Sequence, residues 1–294
     1  MTENVSSTAP QPPLIEVDHV SKTYVRDGQL TVAVDDANFS VPAGSVLALV
    51  GPSGCGKTTL LNMIAGLLQP TKGSVRYAGS EVTSVNCGAG YMTQHDTLLP
   101  WRRVLANVSL PLEIQGLDRR VMLDRAADAL REVGLQGFER HFPNQLSGGM
   151  RKRVQLARTL VYSPETLLMD EPFGSLDAIL KINLQQDLLR LLAKRERDLT
   201  VVLVTHDLEE AVTLADTVLV MAGRPARVVH VEQLEDLDRR TRDEGVVALR
   251  RLPEFSLHVE RLWQSLEAAS GSAQPRDGDG RSAAAPALES GRAR

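Results

Sequence analysis

Apolar and polar positions alternate through LIEVDHVSKTYV (residues 14–25) and again through TVAVDDANFSV (31–41). Period-two patterning of that length predicts two strands, each with one buried face, joined by a turn at Asp27 and Gly28. The next run, SVLALVG (45–51), is apolar almost throughout, as a short strand covered on both faces would be. A helix is expected from about Lys57 to Gly66, a short strand in GSVRYAG (73–79) and another in AGYMT (89–93). Residues 102–162 read as mostly helical, with breaks at Gly116, at Gly134 and across 143–149. Strands and helices then alternate: strand TLLMD (166–170), helix 178–195, strand TVVLVT (200–205), helix 207–214, strand DTVLVMA (216–222). That order predicts a parallel sheet with helices on its faces. Beyond about residue 231 the chain is charged and is expected to be helical to about Ala269. The polar, Pro-rich residues 1–13 and the low-complexity residues 269–294 are expected to be disordered.

Composition narrows the function classes. The chain has 294 residues, 43% of them apolar and 24% charged, enough to bury a sizeable core. A net charge of −4 gives no general electrostatic case for nucleic-acid binding. The basic cluster Arg151, Lys152 and Arg153 reads as a solvated helix face. With only two cysteines, Cys55 and Cys87, no disulfide framework is implied, and a reducing cytoplasm is favoured. Six histidines are scattered without metal-ligand spacing, so no metal site built from protein ligands alone is expected. The N-terminus lacks the basic start and apolar stretch of a secretory signal. No apolar run approaches the roughly 20 residues that span a bilayer, so any work at a membrane needs spans from other chains.

The candidate chemistry lies at the predicted strand ends. GPSGCGKT (51–58) fits the phosphate-binding loop pattern, after a buried strand and before a helix, the context that pattern requires. Its glycines let backbone amides wrap phosphate oxygens; Lys57 is expected to reach the β and γ phosphates and the Thr58 hydroxyl to bind Mg²⁺. The strand TLLMD runs into Asp170 and Glu171. Ligands of such sheets bind outside the carboxyl ends of the strands, so Asp170 suits Mg²⁺ held through water and Glu171 a general base on the attacking water. His206 follows the strand TVVLVT and is either a γ-phosphate contact or a surface histidine. Gln94 is either a ligand of water or Mg²⁺ or a polar loop residue. Tyr24 either stacks on an adenine or packs on the sheet. Cys55, beside a helix start and Lys57, is either a small residue that fits or a thiol of lowered pKa open to oxidation. A second anion-facing helix start stands at QLSGGM (145–150), where Ser147 reads as an N-cap and Gly148 and Gly149 leave the next amides bare.

Taken in order, GPSGCGKTTLL, Gln94, LSGGM, LLMDEP, SLD (175–177) and His206 resemble the motif series of ATP-binding cassette proteins over residues 14–230. The resemblance implies an α/β fold: a P-loop NTPase (RecA-like) core with an antiparallel β subdomain and an inserted α-helical subdomain at about 95–162. It implies ATP and Mg²⁺ as cofactors, with Gly51, Pro52, Ser53, Gly54, Cys55, Gly56, Lys57, Thr58 and Thr59 around the phosphates. Catalytic roles fall to Glu171, His206 and Gln94, metal contacts to Thr58, Gln94 and Asp170, and adenine stacking to Tyr24. It further implies a head-to-tail homodimer, in which Ser147, Gly148 and Gly149 of one chain cap the nucleotide of the other and Asp177 couples the two sites. That arrangement accounts for two phosphate-facing helix starts in one chain. Met150 departs from the Gln that many members carry there.

The stretch 90–116 and DEPFGSLDA are similar to cassettes of the nitrate, sulfonate, taurine and bicarbonate importers. In cassettes generally, the segment after the Gln forms a groove for a coupling helix of a transmembrane permease subunit. Leu98, Leu99 and Trp101 are either anchors for that helix or packing inside the helical subdomain. Residues 231–268 resemble the subgroup's short charged C-terminal segment. The expected function is thus ATP hydrolysis that energises import of a small anionic solute, at the cytoplasmic face of the membrane, with an extracytoplasmic solute-binding protein in the complex. Alternatives are an exporter cassette or a soluble cassette ATPase acting on nucleic acid or ribosomes; net acidity disfavours nucleic acid.

Overall fold

The computed structural model describes residues 12–26, 28–174, 176–194, 199–237 and 244–271. Most of the two expected disordered ends, the Asp27 half of the first turn and Ser175 lie outside the described residues.

Strands β1 (Ile15–Arg26) and β2 (Gln29–Val41) form the predicted antiparallel pair. With β4 (Lys72–Tyr77) and β5 (Ser80–Glu81) they make a four-stranded antiparallel sheet in the order β2-β1-β4-β5. The second sheet holds β3 (Val46–Val50), β6 (Ala89–Met92), β7 (Thr166–Asp170), β8 (Thr200–Thr205), β9 (Thr217–Ala222) and β10 (Arg227–Gln233). Its order is β10-β9-β3-β8-β7-β6, parallel throughout except for antiparallel β10 at the edge.

The apolar runs of the inner strands follow from two cores, one on each face of this sheet. Leu47, Leu49, Leu168, Val202 and Val204 pack with Leu60, Leu61 and Ile64 of α1 (Lys57–Ile64) and with the inner face of β1. Their neighbours Val46, Ala48, Val50, Leu167, Met169, Val201 and Leu203 face the other way, into a core shared with the remaining helices. Successive side chains point to opposite faces, and both faces are covered.

Between β6 and β7 the chain inserts a helical lobe of α2 (Val104–Val108), α3 (Leu110–Ile114), α4 (Arg119–Glu132) and α5 (Gly148–Leu160). After β7 come α6 (Ala178–Lys194), α7 (Leu208–Leu214), α8 (Val246–Leu249) and α9 (Pro253–Gly271). The charged segment from residue 231 does not begin as a helix, because residues 227–233 form strand β10. In it Glu232 is buried while its neighbours Val231 and Gln233 are exposed. The inward carboxylate is paired with His230, His258 and Arg261, which is why a polar residue occupies a buried strand position. Leu98 is likewise not a surface anchor: it is buried in the core shared with α2 and α5, whereas Trp101 is 72% exposed.

Candidate functional site

The ends of β3, β6, β7 and β8 lie side by side, so the residues that leave those strands share one edge. From β3 the chain passes through Gly51 (φ +155°), Gly54 (φ +76°) and Gly56 (φ +104°) into α1. A Cβ on Gly51 would stand 2.1 Å from the Met221 carbonyl oxygen, and one on Gly56 2.8 Å from that of Ala33. The loop is thus pressed against the end of β9 and the middle of β2 in a conformation open only to glycine. Pro52, Ser53 and Gly54 are exposed at its rim, Thr59 is half-buried, and α1 starts with its free amides behind the loop.

Lys57 is 5% exposed, and its Nζ donates to the carbonyl oxygens of Gly51 (2.7 Å) and Pro52 (2.9 Å), folding the ammonium over its own loop. Cys55 is buried beneath it. Burial pushes the thiol pKa up, with Lys57 opposing, which removes the expectation of a lowered pKa and an exposed redox switch.

Thr58 Oγ1 donates to Asp170 Oδ1 at 3.1 Å, joining the loop to the end of β7. Burial raises the Asp170 carboxyl above its usual range, and the Glu171 charge adds to this; the Thr58 bond and the Lys57 charge oppose it. Glu171 follows with φ +44°, a left-handed backbone unusual for a residue with a side chain. Its amide donates to Val204 O at 2.9 Å, and its carboxylate meets two other strand ends. Gln94 Nε2 donates to Oε2 at 3.0 Å, and His206 Nδ1 stands 3.3 Å from Oε1. Residues from β6, β7 and β8 therefore converge on one carboxyl group.

Ser147 caps α5, its Oγ accepting from Met150 N at 3.3 Å, and Gly149 is buried in the first turn. Gly148 lines a cleft of about 220 Å³ with Gln94, Lys152, Glu171 and Gly174. Among the described residues, no hydrogen bond joins residues 147–149 to residues 51–59. Asp177 caps α6, accepting from Ile179 N (3.1 Å) and Leu180 N (3.0 Å). Tyr24 is 40% exposed near the end of β1, with Lys22 Nζ 5.5 Å from its ring centroid.

The basic face of α5 is not solvated as expected. Lys152, 7% exposed, donates to Gln94 O at 2.7 Å, and Arg151 pairs with Asp96 at 3.0 Å. Gln155 donates to the carbonyls of Thr93 (3.1 Å) and His95 (3.3 Å), and Arg158 to that of Thr97 (2.9 Å). Arg153 turns the other way, to Asp187 of α6 at 2.6 Å. The segment that carries Gln94 is thus gripped by α5, the helix that starts at Ser147. The one signal in the sequence was the spacing of Arg151, Gln155 and Arg158 on a single helix face.

A family model described as ABC transporter matches residues 34–174. An uncharacterised ABC transporter ATP-binding protein of Methanocaldococcus jannaschii is 44% identical over 225 residues, 76% of this chain and 83% of the relative. The taurine import ATP-binding protein TauB of Burkholderia thailandensis is 41% identical over 253 residues, covering 84% and 96%. Among solved structures, a dimeric post-hydrolysis state of an ATP-binding cassette bound to ADP and Pi superposes with a TM-score of 0.67 at 30% identity. It covers 75% of this chain and 99% of that one. With a glycine-rich loop between a buried strand and a helix, an acidic strand end and a Ser-capped helix on a P-loop NTPase fold, the chain belongs to the ABC transporter family, as an ATP-binding, ATP-hydrolysing subunit.

Proposed function

We propose that this subunit energises an importer for a small anionic solute of the nitrate, sulfonate, taurine or bicarbonate type. In this reading it works as a head-to-tail homodimer, bound peripherally to transmembrane permease subunits at the cytoplasmic face, with an extracytoplasmic solute-binding protein completing the complex. Relatives named for taurine import support the direction and solute class. Dimeric cassettes among the similar structures support the homodimer.

The observation that carries the site is the convergence of Gln94 and His206 on Glu171, beside the Thr58–Asp170 contact. Residues 51–59 would hold the phosphates of ATP, Lys57 would exchange its loop carbonyls for the β and γ oxygens, and Tyr24 would offer its open ring to the adenine. A hydroxyl and a buried carboxylate 3.1 Å apart are the hard oxygen donors that Mg²⁺ takes, so Thr58 and Asp170 fit the cation, and Gln94, on the next strand end, is assigned to it by resemblance alone. Bound there, Mg²⁺ would neutralise phosphate charge. Glu171 orients and deprotonates the attacking water, while Gln94 and His206 position its carboxylate and sense the γ-phosphate. Ser147, Gly148 and Gly149 serve the nucleotide of the second copy, and Asp177 links the two sites. Leu99 and Trp101, near Gln94 but outside the core that holds Leu98, are suited to meet a permease helix.

Purification of the tagged full chain from native membranes in mild detergent tests the assignment. A stoichiometric multi-span partner is expected. Recovery with ribosomal proteins or nucleic acid and no membrane subunit would overturn it.

A further inference from the structure

Lys181 lies in the first turn of α6, four residues after Asp177, whose carbonyl accepts its backbone amide at 2.9 Å. Its side chain is largely covered and points to the neighbouring turn. Nζ is 2.5 Å from Asp207 Oδ2 and 2.9 Å from Glu210 Oε2. Asp207 directly follows His206 and caps α7, its Oδ1 accepting from Glu210 N at 3.1 Å. Glu210 is 1% exposed. One ammonium therefore joins the start of α6 to the start of α7, and so joins the turn that carries Asp177 to the turn that carries His206.

Two carboxylates around a single ammonium, one of them buried, make a demanding arrangement. Burial alone would lower the Lys181 pKa, but Asp207 and Glu210 outweigh it and raise it, keeping the cation in place. Asp207 is also subject to burial, yet the Lys181 bond and the Glu210 amide hold it below its usual range. Glu210 is pushed up by burial, and Lys181 opposes the rise. Removing the ammonium would leave Asp207 and Glu210 without the cation that bonds to both at the base of the His206 turn, with only the more distant charge of Arg250 acting on Asp207. That turn would then move away from its position 3.3 Å from Glu171.

We propose that Lys181 is a positioning residue: its bridge to Asp207 and Glu210 holds His206 at Glu171 and ties the His206 turn to the Asp177 turn. This rests on the reading of His206 as a γ-phosphate contact and of Asp177 as the link between sites. Lys181 acts through Asp207 and Glu210 at the start of α7. The bridge gives the two turns a common anchor, so a shift of His206 on γ-phosphate release is felt at Asp177.

The test uses the full chain with Mg-ATP and five variants: Lys181→Met, Lys181→Arg, Glu210→Gln, His206→Ala and the double variant Lys181→Met/His206→Ala. Lys181→Met is expected to lower kcat about tenfold, as a coupling of this kind does, with the KM for ATP little changed. Lys181→Arg, which can still bridge two carboxylates, is expected to restore most of the rate. The double variant is expected to be no slower than His206→Ala alone, because both changes act on one group. The side-chain nitrogen resonance of His206, identified by its loss in His206→Ala, is expected to shift in Lys181→Met and to return in Lys181→Arg. Should Lys181→Met not fold, Glu210→Gln, which keeps the packing and weakens the same bridge, takes its place in the rate and resonance measurements. An unchanged kcat, an additive double variant or an unmoved His206 resonance would overturn the proposal. If His206→Ala itself turns over ATP at the parent rate, it is the reading of His206 that fails, and that outcome is separate from the Lys181 result.

Discussion

Glutamine at position 171 would keep the shape that Gln94 and His206 grip while removing the carboxylate that can take a proton from water. Glu171→Gln is therefore expected to cut phosphate release about 100-fold or more, the range for loss of a general base, while nucleotide binding is retained. Phosphate-release kinetics beside equilibrium nucleotide binding would check it, and parent-like turnover would remove Glu171 from its role. The position was legible because a buried strand ran into two adjacent acids. Its left-handed backbone was not, since nothing in the letters 170–172 demands φ +44°. At Cys55 the letters left two readings open, and burial decides for the small residue that fits. A helix start and a lysine suggested an activated thiol, but whether such a thiol is buried depends on contacts with β9, far along the chain.

At the scale of elements, β3, β7, β8 and β9 were legible because burial on both faces leaves an unbroken apolar signature. Elements whose polar residues are satisfied from a distance were not. The basic face of α5 finds its partners at 93–97 and 187, and β10 carries a buried Glu232 whose partners arrive from α9. His258 of α9 is itself buried, 2.7 Å from both Glu232 and Asp236, so the last helix is docked through charged groups as well as apolar ones. The bond to His258 holds the Asp236 carboxyl below its usual range. Burial pushes Glu232 up, but His230, His258 and Arg261 together hold it down. Carboxyls depressed on folding contribute fully above the unfolded pKa, roughly 4, and that contribution is lost as pH falls through the folded value. Acidification below about pH 4 is thus expected to release α9. Trp263, on α9, reports this in a Trp101→Phe background, since the chain has two tryptophans. Asp236→Asn should displace the acid transition of its fluorescence, and coincident profiles for the two proteins would count against the clamp.

For the whole molecule, the decisive matter is whether the helix starts after Gly56 and Ser147, both proposed to face phosphate, serve one nucleotide within a chain or two nucleotides between chains. Ser147→Asp addresses it with little cost to the fold, because Asp caps a helix about as well as Ser. The same change sets a carboxylate where a γ-phosphate would approach, and like charges at that distance repel strongly. Lys57→Ala removes the cation of the phosphate loop, so each variant alone is expected to be inactive. In a head-to-tail dimer, a mixed pair holds one doubly damaged site and one site with both Lys57 and Ser147 intact. Equal mixing with exchange makes half the dimers mixed, so about a quarter of the parent's sites are restored. If each nucleotide were served by one chain only, every site in the mixture would carry a defect and no activity would return. Phosphate release from the mixture, measured against each variant alone, decides between the two architectures: recovery toward a quarter of the parent rate supports shared sites, and a rate no higher than either variant alone rules them out.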